Sequence, residues 1–232
     1  MKLSINNLPF NTRFAWLIEL TKILLALIGI QLFRYFMYRI MVGLGSVSQL
    51  FEPAGDITNG LTMLLTGLGL WLMVRHSLGN PGFSKFTISS KGFIGMMAGL
   101  AIFVVMAGFN ICMDPRQFIP TVLSCLIFPF FEEPIFRGWI WKRMSSVLPA
   151  KWNGISTILL TTQLFALWHL GYWDVVAMHV SSSTTTSGLI HIMLMKMVIA
   201  SIIGLWTGFC RWKTGNLYGS ILIHAFWNLL GR

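Results

Sequence analysis

A bilayer is crossed by roughly 20 predominantly apolar residues, and a chain rich in such runs must satisfy its backbone hydrogen bonds within them. This sequence has seven segments that meet or approach that length, at 16–41, 58–76, 92–112, 117–141, 154–173, 188–210 and 216–231. The first is long and interrupted by Arg34 and Arg39, so it reads as one element or as two shorter ones, and the last is short. The expected fold is an all-α membrane protein: a polytopic bundle of about seven to eight transmembrane helices. Of 232 residues, 55% are hydrophobic and 10% charged, where a soluble domain has about a quarter charged. No polar stretch is long enough to fold as a separate soluble unit.

The formal net charge of +10 raises the question of nucleic acid. The basic residues, however, sit in short clusters between apolar runs, with no basic-aromatic stripe, so they read as loop charges that set topology. Lys2, Arg13, Arg75, Lys85, Lys91, Lys142, Arg143, Lys151, Arg211 and Lys213 fall on one side. The other side holds Glu52, Asp56, Asp114 and Asp174, with only Arg116 and Arg232 as cations. This asymmetry places the N-terminus in the cytoplasm and the C-terminus outside a cell membrane crossed several times. The bilayer is the expected partner, and nucleic acid is not. The apolar run from Phe14 is broken by Glu19 and Lys22 and ends without a small-residue cleavage pattern, so it reads as a retained span.

Other features read as structural. Cys112, Cys125 and Cys210 are scattered without zinc-site spacing and read as small apolar residues in helices. Gly95/Gly99 and Gly204/Gly208 have the spacing that lets helices approach closely in lipid. The Ser/Thr run 181–187 reads as a flexible external loop. His76, His179 and His191 read as hydrogen-bonded core residues.

Ionisable groups inside spans cost a few kcal/mol each and so need a reason. Three clusters stand out: Phe131-Glu132-Glu133-Pro134-Ile135-Phe136-Arg137-Gly138, Phe165-Ala166-Leu167-Trp168-His169, and His224-Ala225-Phe226-Trp227-Asn228. Glu133 and Arg137 are four apart and can pair on one helix face. Glu132 projects about 100° away, and His224 shares a face with Asn228. Pro129 and Pro134 bracket the glutamates and each removes a backbone donor. Irregular backbone at membrane depth belongs next to protein or a wet cavity, so the glutamates are expected to face a cavity. Unpaired polar groups in spans must find partners, and those available to Glu132, His169, His224 and Asn228 are each other. Helical rise puts Glu132 roughly 15 Å and His224 roughly 12 Å from the cytoplasmic ends of their segments, and His169 roughly 24 Å from the start of its own. The site is expected to open towards the cytoplasm.

These residues resemble the CPBP family, which includes type II CAAX prenyl endopeptidases and the bacteriocin-processing or immunity proteins often called Abi. The family pattern is EExxxR, FxxxH and HxxxN on successive core helices. Here it reads Glu132-Glu133…Arg137, Phe165…His169 and His224…Asn228, in order and within apolar segments. The resemblance spans about 118–231. It implies a division into N-terminal transmembrane helices (1–112) and a catalytic core (113–232) within one membrane domain. It further implies hydrolysis of a peptide bond of a peptide or protein substrate delivered in or near the membrane, with Glu132, Glu133, Arg137, His169, His224 and Asn228 as site residues. Glu132 would act as base on a water held by His169, with His224 and Asn228 facing the substrate carbonyl, and Glu133 with Arg137 as scaffold. The cofactor stays open. Glu132, His169 and His224 are candidate ligands for a divalent metal such as zinc, although no HExxH is present. A non-catalytic membrane protein acting in bacteriocin self-immunity, or as a partner or sensor subunit, is the alternative. A transporter is disfavoured because the other spans offer no ladder of acids.

Overall fold

A computed structural model describes residues 15–48, 56–74, 82–83, 90–148, 153–180 and 185–231. The described residues form seven helices: α1 (Ala15–Ser48), α2 (Asp56–Val74), α3 (Ser90–Met113), α4 (Pro115–Val147), α5 (Asn153–Trp168), α6 (Thr186–Thr214) and α7 (Tyr218–Leu230). A 3-10 turn (His169–Tyr172) and a short helix (Trp173–His179) continue α5. Four stretches are long and apolar enough to cross a membrane: Ala15–Leu44, Gly92–Met113, Pro115–Val147 and Thr186–Thr214. The apolar part of α2 (Ile57–Leu72), α5 and α7 are shorter. The chain is therefore an all-helical, polytopic membrane protein. Its outward faces fit lipid as solvent, with Leu25 65% and Val105 70% exposed.

The first segment is one continuous helix of 34 residues, not two. Arg34 does not interrupt it, because its side chain is buried against protein and ion-paired with Asp174 at 2.7 Å. The core gathers around α4, where Phe131, Phe136 and Ile140 meet Ile23 and Leu27 of α1, Met63 of α2 and Phe165 and Trp168 of α5. Of the two glycine pairs, Gly204/Gly208 seats α6 on α5. A Cβ at Gly204 would lie 2.9 Å from Thr162, and one at Gly208 would lie 3.3 Å from Ile158. Gly95 has nothing within 4 Å, and Gly99 only meets Leu222 at 3.4 Å, so the other pair makes no comparably close approach. Gly215 (φ 68°) ends α6 in the left-handed region, its N–H bonded to Arg211 O at 2.9 Å, and turns the chain into α7.

Of the three cysteines, Cys125 is buried, Cys210 is half-buried and Cys112 is exposed. His191 is exposed on α6, not a core residue as expected. His76, residues 181–184 and the side chain of His179 lie outside the described residues.

Candidate active site

α4 is not regular around the glutamates. π-helical turns occupy Leu123–Ile127 and Pro134–Ile140, with one α-helical stretch, Phe128–Glu133, between them. The prolines account for this. Pro129 and Pro134 cannot donate to the carbonyls four residues back, and the wider turns absorb the misfit. The result directs Glu132, Glu133 and Arg137 inwards, all at least 97% buried.

Glu133 and Arg137 form the expected pair, Oε2 to Nε at 3.5 Å. Arg137 also donates from Nη2 to Gly204 O at 3.0 Å and lies 4.5 Å from the Phe165 ring centroid. Arg211 Nε holds the Arg137 carbonyl at 2.9 Å. The other oxygen of Glu133 lies 2.9 Å from His224 Nδ1. An ionised carboxylate only accepts, so Nδ1 carries the proton and Nε2 is left to face away from Glu133. Nε2 lies 3.8 Å from Glu132 Oε2, outside hydrogen-bond range.

Glu132 is held differently. Its Oε1 accepts from the Tyr172 hydroxyl at 2.7 Å and from Trp168 Nε1 at 3.2 Å. Its Oε2 has no hydrogen bond from the described residues and faces His224. His169 Nδ1 lies 2.8 Å from the Phe165 carbonyl; a carbonyl cannot donate, so Nδ1 holds the proton and Nε2 keeps its lone pair. Asn228 donates from Nδ2 to Ser124 O at 2.7 Å, which leaves its second amide hydrogen. The Phe165 ring packs edge-on against both histidines, at 4.8 Å from His169 and 5.7 Å from His224.

Glu132, His169, His224 and Asn228 all line one cavity of about 830 Å³, joined by Tyr172. Glu133 and Arg137 lie behind its wall. The expectation that the four polar groups would satisfy one another holds only for geometry across the cavity. Glu132 is bonded by Trp168 and Tyr172, and Asn228 by a backbone carbonyl. The mouth lies among Asn110, Asp114, Gln117 and Gly231, the end opposite Lys142, Arg143, Arg211 and Lys213. That differs from the expected opening at the basic end. One boundary explains it. α4 runs on to Val147, so Glu132 lies roughly 22 Å from its basic end, while His169, in the turn after α5, keeps the expected distance of roughly 24 Å from the start of its helix. At the mouth, hydrogen bonds from Arg116 to Asp114 hold that carboxyl below its ordinary range.

The candidate metal ligands do not fit an ion. Among the described residues no three His, Cys, Asp or Glu side chains gather closely enough to share one.

The family model described as Type II CAAX prenyl endopeptidase Rce1-like matches residues 114–230, just over half of the chain. The chain belongs to that family. Comparison with curated proteins found no match, and comparison with solved structures found none. The family is one of CAAX-type intramembrane proteases. All three motifs of this Rce1-like chain fall inside the matched region, whereas α1 to α3 precede it. The motif reading missed Tyr172 and gave Trp168 no role. Their only signal was a polar aromatic residue three and one positions either side of His169.

Proposed function

We propose that this chain is an intramembrane endopeptidase that hydrolyses a peptide bond of a membrane-associated peptide or protein with a water activated by Glu132. The observation that carries the reading is the asymmetry of that carboxylate: Oε1 is anchored by Tyr172 and Trp168, and Oε2 faces His224 Nε2 across 3.8 Å. A water seated there can donate to Oε2 and be held by the free nitrogen of His169. Glu132 takes its proton as the oxygen attacks the carbonyl carbon. The oxyanion accepts from the spare amide hydrogen of Asn228 and from His224 Nε2 in its doubly protonated form, which Glu133 balances at Nδ1. The C–N bond then breaks, and Glu132 returns the proton to the leaving amine. Glu133 and Arg137 set the His224 ring. α2, α5 and α7 complete the bundle as shortened crossings around the cavity.

His169→Ala is expected to lower kcat by roughly 10²-fold or more, measured with purified protein in proteoliposomes. Cleavage within a few-fold of the parent removes His169 from the mechanism.

The charge asymmetry of the loops and the position of the cavity mouth support substrate entry from outside the cytoplasm. With the three native cysteines replaced, Asp114→Cys is expected to react with a membrane-impermeant maleimide in intact cells. Labelling only after permeabilisation reverses the orientation.

A further inference from the structure

Arg34 lies in α1, about eighty residues before the family-matched region, and is 1% exposed in the middle of an apolar helix. A buried guanidinium at membrane depth needs partners. It finds them on the segment that follows α5. Nη2 donates to Asp174 Oδ1 at 2.7 Å and to the Gly171 carbonyl at 2.8 Å, and Nε donates to Gln31 Oε1 at 2.8 Å. Gln31 in turn donates from Nε2 to the Trp168 carbonyl at 2.9 Å. The guanidinium carbon lies 5.1 Å from the Tyr172 ring centroid. A Cβ on Gly171 would collide with the Gln31 side-chain amide, so glycine at 171 leaves room for that amide to reach the Trp168 carbonyl.

The partners share a purpose. Trp168 and Gly171 flank His169, and their carbonyls stand at the C-terminal end of α5, where carbonyls lack partners within the helix. A cation and an amide from α1 supply those partners. The turn so held presents His169 to the cavity and carries Tyr172, whose hydroxyl bonds Glu132 Oε1 at 2.7 Å.

We propose that Arg34, with Gln31, is a positioning residue of the active site: from α1 it fixes the 168–174 turn that sets His169 and the Tyr172–Glu132 hydrogen bond. The inference rests on the endopeptidase reading for its kinetic half only. Its structural half stands on the turn itself. A misplacement of about 1 Å at a reacting group can lower rate about 10²-fold.

The test uses the full chain in nanodiscs and compares Arg34→Met, Arg34→Lys and Gln31→Leu with the parent. Arg34→Met is expected to raise hydrogen exchange in peptides covering 165–176 while α6 and α7 stay protected. It is also expected to lower kcat by roughly 10–100-fold with KM changed less than about two-fold. Arg34→Lys, which keeps the charge but loses the fork, recovers only part. In a Tyr172→Phe background Arg34→Met lowers kcat much less, because both act on the same bond. Unchanged exchange in 165–176, or full additivity with Tyr172→Phe, overturns the proposal. If Arg34→Met unfolds throughout, Gln31→Leu decides by the same readouts. A parent that cleaves nothing overturns the endopeptidase reading, while the exchange result still judges the hold of α1 on the turn.

Discussion

Glu132→Gln is expected to lower cleavage by roughly 10²–10⁴-fold, the usual contribution of a positioned general base, without unfolding the protein. The substitution is nearly isosteric. Its amide oxygen can still accept from Tyr172 and Trp168, and its amide nitrogen then stands where Oε2 faced His224. The side chain stays anchored and loses only its basic oxygen. KM should change little, because the lost group acts on water. Activity within a few-fold of the parent, in protein that remains folded, would remove Glu132 as the base.

The neighbouring carboxylate gives the opposite pattern. Arg137→Met leaves Glu133 buried without its cation, and Glu133→Gln leaves Arg137 without its anion, each side chain being 0% exposed. Removing one partner of a buried pair costs about 3–5 kcal/mol, or a fall on the order of 10 °C in Tm for a chain of this size. The double variant Glu133→Gln/Arg137→Met is expected to regain most of that loss, since neither member of the pair is then left as an unpaired ion. It should not regain activity, because an amide cannot balance a charged His224 at Nδ1. Thermal unfolding in detergent separates the cases. Single variants as stable as the parent would show that the pair holds nothing together.

The two glutamates were separable in the sequence because helical geometry is local. A four-residue spacing pairs Glu133 with Arg137, and a 100° step turns Glu132 elsewhere. The same locality explains what stayed hidden. The partners of Glu132 come from α5 and the turn after it, 36 and 40 residues later. Those of Arg34 outside its own helix are 137 and 140 residues away. No periodicity encodes contacts at that separation. Arg34 was visible only as an interruption in an apolar run, because its cost could be read and its partner could not. The direction of the cavity was misread for a simpler reason. Helix ends are the least determined part of a hydropathy pattern, and the extension of α4 to Val147 put Glu132 further from the basic end than the sequence pattern implied.

The match places the chain in a family of CAAX-type proteases, and the proposed mechanism gives the work to one oxygen of one glutamate. The most direct measurement supplies proteoliposomes in H2¹⁸O with membrane peptides extracted from cells lacking this chain, and reads the products by mass spectrometry. The parent is expected to release fragments that carry ¹⁸O in the newly formed carboxyl group, and Glu132→Gln is expected to release none. The same labelled fragments from both proteins, or no new fragments from the parent, would contradict a hydrolysis driven by Glu132.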